Sequence, residues 1–411
     1  MLIQFSVKNF LSFKELAALS LVASNLQDTE TAVVTTANLR LLKIAAVYGA
    51  NASGKSNLLK ALAWMTQWMR QSSKESQAGD PIDVQPYALS SASADQPSFF
   101  EIVMLIDDVR YRYGFEVDRE RVVSEWLYHT PQQRERKLYE REGQDFSMSG
   151  QFTEGHGLAE RTRPNSLFLS VAAQFNGDIA GRIMGWVRTV RMVGTGPLDR
   201  IVSTRLLSDD QYSSRIGELI KSIDLGIDRV FVEQKPFPGS EEDLQDPPAP
   251  SRMPRTLSVV RTAHVVYNEE GTPVGEEIFD LNRVESAGTR KVFELTGPML
   301  LTLSKGGILL VDELDSQLHP LLTRYLISLF HGDDNRRAQL IFSTHSSEAL
   351  EEPDLRRDEI WLVEKNRFGA SSLSSVVEFK PRKNASLRKD YLFGRFGAVP
   401  VLRPLEDGSD Q

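Results

Sequence analysis

A glycine-containing segment near position 50 has the residue types that bind phosphate groups. It reads Gly, four residues, then Gly-Lys-Ser, and its candidate nucleotide contacts are Gly49, Asn51, Ser53, Gly54, Lys55, Ser56 and Asn57. Glycines let backbone N–H groups curl around an anion, and the N-terminus of a following helix favours negative charge. In such a segment the lysine reaches the β- and γ-phosphates, and the serine hydroxyl binds Mg²⁺. The spacing therefore predicts a nucleoside triphosphate site.

Two adjacent acids follow an apolar segment in the C-terminal half of the chain. Residues 308–311 are Ile-Leu-Leu-Val, the pattern of a buried strand, and Asp312 and Glu313 come directly after them. Asp312 is placed to hold Mg²⁺, and Glu313 is placed to orient or deprotonate an attacking water molecule. Acid pairs also occur at ordinary strand ends, so this interpretation depends on the phosphate-binding segment.

A histidine ends the next predicted strand. Residues 340–344 are apolar and β-branched enough to form another buried strand, and His345 follows them. Open α/β sheets build their sites at the C-terminal edge of the strands. We interpret His345 as a sensor of the γ-phosphate, with a purely structural histidine as the alternative.

A serine- and glycine-containing segment precedes the acid-bearing strand. Residues 285–289 open a stretch in which apolar residues recur at helical spacing, so they predict the start of an amphipathic helix. The exposed amides of this helix start and the hydroxyl of Ser286, close to Gly288, would bind an anion. Taken alone, the segment is an ordinary helix cap.

The elements that position these residues are also visible in the sequence. Residues 44–48 and 57–62 predict a strand and a helix on either side of the phosphate-binding segment. Residues 99–105, 111–117 and 124–128 predict an antiparallel sheet, whose first hairpin turns at two aspartates, residues 107 and 108. Helical patterns follow at 179–187 and 216–223, and a strand at 257–267. Because the site motifs lie at both ends of the chain, we expect the ends to fold into one core.

The predicted fold class is α/β, with a core built around the phosphate-binding loop (P-loop), a flanking antiparallel sheet and a helical insertion. We divide the chain into an N-terminal part of the core (1–70), a β-rich lobe with a helical insertion (71–280) and a C-terminal part of the core (281–411). Prolines, glycines and acids at 236–254 predict a mobile loop.

The order of these motifs resembles the ATP-binding-cassette (ABC) and SMC ATPases, with Asp315 in the position of their D-loop. The chain is most similar to the bacterial overcoming-lysogenization-defect and abortive-infection ATPases. Within that group it resembles the ATPase subunits of PARIS anti-phage systems. The similarity is carried by residues 7–13, 49–57 and 391–400, so it covers both ends of the chain well and the middle poorly.

This resemblance implies ATP and Mg²⁺ as cofactors and ATP hydrolysis as the activity. In the class it resembles, the signature segment of one subunit completes the ATP site of another, which implies an ATP-dependent homo-oligomer using Ser286, Gly288 and Asp315. It also implies anti-phage defence, in which the assembly restrains a TOPRIM-type effector nuclease until a phage-encoded trigger protein is sensed. The alternatives are a RecF-like DNA-repair ATPase that clamps DNA, and a scaffold that binds ATP but hardly hydrolyses it.

The composition excludes several other classes. The 411 residues contain no cysteine, which excludes disulfides, thiol catalysis and cysteine-ligated zinc. No apolar stretch approaches the roughly 20 residues that span a bilayer, so we expect a cytoplasmic protein without a membrane partner. The net charge is −8. A net negative charge disfavours binding of nucleic acid over the whole protein surface. Local basic clusters still allow DNA as a partner.

The segment 391–400 combines aromatic residues with glycines. Aromatic side chains dominate protein interfaces, and glycine allows close approach of the backbone. We expect this segment either to close the ATP core or to line an intersubunit or effector contact. In the second case Arg395 would pair with an acid or a nucleotide phosphate across that contact.

Overall fold

A computed structural model of the chain describes residues 1–26, 29–36, 39–194, 197–223, 226–236, 256–350, 355–381 and 386–399. Its strands, numbered along the chain, are β1 (Leu2–Lys8), β2 (Ala17–Ser20), β3 (Val33–Thr35), β4 (Arg40–Leu42), β5 (Ile44–Tyr48), β6 (Ser98–Ile106), β7 (Val109–Val117), β8 (Val122–Thr130), β9 (Arg136–Glu142), β10 (Asp145–Met148), β11 (Val190–Val193), β12 (Arg229–Pro236), β13 (Thr256–Tyr267), β14 (Pro273–Asp280), β15 (Gly307–Val311), β16 (Ala338–Ser343), β17 (Ile360–Lys365) and β18 (Ser371–Ser375). Its α-helices are α1 (Lys55–Gln71), α2 (Phe168–Gln174), α3 (Asp178–Val187), α4 (Pro197–Leu207), α5 (Asp210–Ser222), α6 (Ala287–Lys305), α7 (Pro320–His331) and α8 (Leu387–Leu392). The loop predicted at 236–254 lies outside the described residues from position 237 onward.

The six-stranded sheet that positions the candidate site has the order β11-β15-β16-β5-β17-β18. Strands β15, β16, β5 and β17 run parallel to one another, as their pairing registers show. Every residue of β5 and β16 is buried, because a parallel sheet covered on both faces needs continuous apolar strands. The parallel strands end at one edge of the sheet. The residues that follow β5, β15 and β16 therefore meet there.

The seven-stranded sheet is antiparallel throughout, with the order β10-β9-β8-β7-β6-β1-β2. Its β6–β7 hairpin turns at Asp107 and Asp108, whose φ angles of 48° and 61° match a two-residue turn with both central residues left-handed. The predicted antiparallel sheet and its turn are confirmed. Against this sheet pack the rings of Trp64 and Trp68 from α1, which stack on each other with centroids 5.4 Å apart.

The first strand is tied to the parallel sheet by a buried glutamine. The Gln339 side chain accepts a hydrogen bond from Leu2 N at 2.6 Å and donates to the carbonyl groups of Leu2 and Leu42, both at 3.0 Å. All three residues are fully buried, so these bonds are shielded from water. The expectation that the two ends of the chain fold into one core is confirmed.

The chain forms two compact units. The first contains residues 1–192, 302–316 and 323–411, and it holds both large sheets. The second contains residues 193–301 and 317–322 and the three-stranded antiparallel sheet β12-β13-β14. Its apolar core joins that sheet to α4, α5 and α6, and includes Leu207, Tyr212, Ile216, Val230, Val260 and Phe293.

The C-terminal aromatic segment begins inside α8 and continues as turns. Tyr391 and Phe396 are buried, whereas Phe393 is 80% exposed. Arg395 forms its ion pair within the chain, with Asp390 at 2.7 Å, and its side chain stays 70% exposed. Asp390 therefore supplies one partner of the Arg395 guanidinium within the chain, and the contact of Arg395 across an interface stays a prediction. In the described part of the chain, no helix is long and apolar enough to cross a membrane.

Candidate functional site

The glycine-containing segment forms the turn between β5 and α1. Gly54 is the N-cap of α1 with a φ of 114°, a conformation that residues with a Cβ rarely adopt. An added Cβ there would also overlap Ser371 Oγ and lie 2.6 Å from Ser12 Oγ. At Gly49, an added Cβ would lie 2.6 Å from Ser53 Oγ. Both glycines are therefore required by local packing as well as by backbone geometry.

Two serines that the sequence analysis missed support this turn from outside it. Ser371 Oγ donates to the carbonyl of Ser53 at 2.5 Å and lies within hydrogen-bond distance of Ser12 Oγ, at 2.8 Å. Asn57 Nδ2 donates to Ser12 Oγ, at 2.9 Å. Isolated serines carry no periodic or spacing signal, so only the fold identifies them. The Asn57 side chain, a predicted nucleotide contact, here supports the turn.

Lys55 lies across the turn with its side chain almost fully buried. Its Nζ donates to the carbonyl groups of Gly49 and Ala50 at 2.8 and 3.0 Å. It also lies 3.3 Å from Nδ1 of His345, which reaches it from the end of β16. The structure thus brings the predicted lysine and histidine into direct contact.

Burial and the nearby carboxylates change the pKa of Lys55 in opposite directions. Burial lowers the pKa of Lys55, because removing an ammonium group from water disfavours its charged form. The carboxylates of Glu313, Asp312 and Asp315 act in the opposite direction and favour the protonated lysine. A partly desolvated ammonium close to an open cavity has lost hydration that an anionic ligand can replace.

The Asp312 carboxylate joins two hydroxyl groups from different elements. Its Oδ1 accepts hydrogen bonds from Ser56 Oγ at 2.9 Å and from Ser343 Oγ at 2.6 Å. Ser343 Oγ in turn accepts from the backbone N–H of Glu313 at 2.8 Å. Ser343, the last residue of β16, thereby fixes both acids, although the sequence analysis did not select it.

A carboxylate beside a serine hydroxyl is a suitable donor set for Mg²⁺. Mg²⁺ is usually bound by one or two protein oxygens, with water and substrate phosphates completing its octahedron. Asp312 and Ser56 supply such oxygens. Among the described residues no group of three or more acidic, histidine or cysteine side chains is arranged to hold a metal ion. The oxygens of Asp312 and Ser56 fit a metal ion that is bound together with a nucleotide.

Glu313 and His345 face each other at the mouth of the site. His345 Nε2 lies 3.8 Å from Glu313 Oε1, and their side chains are 37% and 45% exposed. Glu313 has a φ of 51°, an unfavourable conformation for a residue with a side chain, so the surrounding structure holds it there. Asp315 accepts hydrogen bonds from the backbone N–H groups of His345 at 3.4 Å and Ser346 at 3.1 Å.

The phosphate-binding turn, together with Glu313 and His345, lines a cavity of about 620 Å³. Its walls are Asn51, Ala52, Ser53, Gly54, Lys55, Ser56, Asn57, Glu313, His345 and Lys365. The hydroxyl of Ser53 is buried there without a hydrogen-bond partner among the described residues. Buried polar atoms are normally paired, so this hydroxyl marks a position for a ligand atom. Lys365 is a cation that the sequence analysis missed.

Ser286 and Gly288 belong to the second compact unit. The Ser286 hydroxyl caps α6, accepting a hydrogen bond from Thr289 N at 3.1 Å. An added Cβ at Gly288 would lie 2.8 Å from the carbonyl oxygen of Gln317. The residue before the cap, Glu285, accepts a hydrogen bond from Thr262 at 2.5 Å. The predicted helix start is confirmed, and its serine acts as a cap in this structure.

A serine substitution tests the connection between the two acids. In Ser343→Ala we expect the Mg²⁺ concentration for half-maximal ATP hydrolysis to rise about tenfold, the scale seen when groups that orient metal ligands are removed. Ser372→Ala, on the exposed side of β18, is the matched control. Losing the Ser343 hydroxyl also leaves Glu313 N unpaired, so melting temperature is measured in parallel. A lower melting temperature with an unchanged Mg²⁺ requirement would limit Ser343 to a structural role.

Comparison with known proteins agrees with this geometry. The family model described as "AAA domain, putative AbiEii toxin, Type IV TA system" matches residues 44–351. The chain belongs to this family. At the level of the AAA family it is an ATPase with a nucleotide-binding P-loop, which accounts for the α/β core and its phosphate-binding turn. The predicted α/β fold class, with a P-loop core and flanking antiparallel sheet, is confirmed.

No curated protein matches the chain. Similar solved structures include the SMC head domain from Thermotoga maritima, with 15% identity, a TM-score of 0.40, and coverage of 91% of this chain and 98% of that one. An SmcHead bound to the C-winged helix domain of ScpA has 13% identity and a TM-score of 0.46, covering 91% and 97%. An Smc head domain with an extended coiled coil, bound to the C-terminal domain of ScpA derived from Pyrococcus furiosus, has 11% identity and a TM-score of 0.42, covering 96% and 98%.

Proposed function

We propose that the cavity at the sheet edge binds ATP with Mg²⁺ and hydrolyses it. The observation that carries this proposal is the bridge from Ser56 through the Asp312 carboxylate to Ser343, which lies beside Lys55 and Glu313. Phosphoryl transfer requires a metal ligand, a phosphate-binding cation and a group that orients water within one site. All three are present here.

Each side chain has a distinct part in this reaction. Lys55 holds the β- and γ-phosphates, while Ser56 and Asp312 supply oxygens to Mg²⁺. Glu313 accepts the proton of the attacking water, and His345, 3.8 Å away, contacts the γ-phosphate. Asp315 holds the backbone that carries His345. In this structure the Lys55 ammonium donates hydrogen bonds to the Gly49 and Ala50 carbonyls of its own turn. We expect Nζ to leave these carbonyls when phosphate binds.

We further propose that ATP drives assembly of identical subunits. In this proposal the α6 start of one copy, with Ser286 and Gly288, covers the triphosphate of another copy, and Asp315 lies beside the shared interface. A helix N-terminus favours an anion because its first N–H groups are unpaired and its dipole is positive there.

The biological role that we propose is anti-phage defence. The family description names a toxin and a type IV TA system, which supports a function together with a second component. In this role the ATP-bound homo-oligomer restrains a TOPRIM-type effector nuclease and releases it when a phage-encoded trigger protein is sensed.

The role is tested by co-purifying the chain with a TOPRIM-type nuclease encoded beside it and measuring the mass of the complex. We expect a stable complex with ATP and Mg²⁺, with nuclease activity suppressed relative to the free nuclease. Absence of the complex, together with ATP hydrolysis that is stimulated by duplex DNA, would reject the restraint model in favour of a RecF-like DNA clamp.

Assembly is tested at the capping serine. Aspartate at an N-cap preserves the cap but places a negative charge where the neighbouring γ-phosphate would bind, so Ser286→Asp should abolish ATP-dependent assembly. Ser286→Asn keeps the cap without the charge and should assemble. Sedimentation velocity with ATP and Mg²⁺ measures the difference. Equal assembly of the Asp and Asn variants would show that Ser286 does not lie at the ATP-bound interface.

A further inference from the structure

Lys365 is a second cation at the phosphate-binding edge of the sheet. Strand β17 pairs with β5 in parallel, with Leu362 opposite Tyr48. One residue further, the carbonyl of Val363 approaches Gly49 so closely that a Cβ at Gly49 would overlap it. Lys365 follows two residues later. The register therefore places it level with the phosphate-binding turn.

The partner strand fixes Lys365 beside that turn as well. In the antiparallel β17–β18 pair, Lys365 lies opposite Ser371. Ser371 is the serine whose hydroxyl donates to the Ser53 carbonyl, and whose backbone N–H donates to the Ser12 carbonyl at 2.7 Å. The lysine is thus connected to the turn through two hydrogen-bonded strands, while its own side chain is solvent-exposed and lines the cavity.

The strand order gives Lys365 a position distinct from that of the catalytic groups. Along the sheet, β15 and β16 carry Asp312, Glu313 and His345 on one side of β5, and β17 carries Lys365 on the other side. A triphosphate that directs its γ-phosphate toward Glu313 and His345 extends its remaining phosphates away from them. No ion-pair partner of the Lys365 ammonium lies among the described residues.

We propose that Lys365 binds the nucleotide's phosphate chain on the nucleoside side of the γ-phosphate. This inference rests on the proposed ATP-binding function and adds a binding residue to it. Lys365 then contributes to affinity for ATP and ADP alike, whereas His345 and Glu313 act only where a γ-phosphate is present. A lysine serves here as a flexible point charge, so arginine can replace it in part.

The test is isothermal titration of the full chain with ATP, ADP and adenosine. Lys365→Ala should weaken ATP and ADP binding by the same factor, about tenfold for one charge-assisted contact at a partly solvated site, and leave adenosine unchanged. Lys365→Arg should restore most of the affinity. Lys60→Ala, an exposed lysine on α1 outside the cavity lining, is the control.

The outcomes separate this inference from the function on which it rests. If the unaltered chain binds ATP and Lys365→Ala binds it equally well, the role of Lys365 is rejected and the ATP site stands. A loss confined to ATP, with ADP unaffected, would also reject it, because the lysine would then contact the γ-phosphate. If the unaltered chain binds neither nucleotide, the proposed function and this inference both fail.

Discussion

Glu313→Gln is expected to bind ATP with unchanged affinity and to hydrolyse it about 10² to 10⁴ times more slowly. Glutamine keeps the size of the side chain but cannot accept the proton of an attacking water molecule. The substitution leaves the hydrogen bond from the residue 313 backbone to Ser343 in place, because that bond uses the N–H group. Single-turnover hydrolysis with saturating ATP and Mg²⁺ measures the chemical step directly.

The control is Glu269→Gln, which makes the same chemical change at an exposed turn after β13. We expect that variant to hydrolyse ATP at the native rate. Because ATP persists in Glu313→Gln, the proposed ATP-dependent assembly should also last longer in that variant, as measured by native mass spectrometry. Hydrolysis at the native rate in Glu313→Gln would show that another group activates the water.

The second large effect is expected for Lys55→Ala, in the affinity for ATP. Lys55 is only 5% exposed, so its contact with phosphate would be made largely out of water. Truncating one partner of a buried, hydrogen-bonded charge pair costs about 2–5 kcal/mol, or about 30- to several-thousand-fold in Kd. Equilibrium titration with ATP and Mg²⁺ measures it.

Lys60→Ala removes a lysine of the same helix that stays in solvent, and it should bind ATP like the unaltered chain. The Lys55 substitution also removes the donor to the Gly49 and Ala50 carbonyls, so thermal melting of both variants is compared without nucleotide. Native ATP affinity in a folded Lys55→Ala protein would contradict the phosphate-binding role.

The local pattern of the sequence was sufficient for the elements that carry the site. An apolar run with β-branched residues, a glycine turn and an amphipathic stretch predict β5, the phosphate-binding turn and α1 because each depends on neighbouring residues alone. The same holds for β15 and β16, whose continuous apolar character identifies buried parallel strands. The hairpin at Asp107 and Asp108 was likewise visible from its turn residues.

Tertiary structure decided the contacts between residues far apart in the chain. Ser343, Ser371 and Lys365 stand in no motif, yet strand register places each of them against the phosphate-binding turn or the acid pair. Arg395 pairs with Asp390 of α8, because the turn after that helix brings the two side chains together. The sequence by itself thus determined the strands and the helix that flank the site motifs, and the motifs that they carry. Only the folded sheet, by aligning the ends of its parallel strands, decided which single polar residues share the site with those motifs.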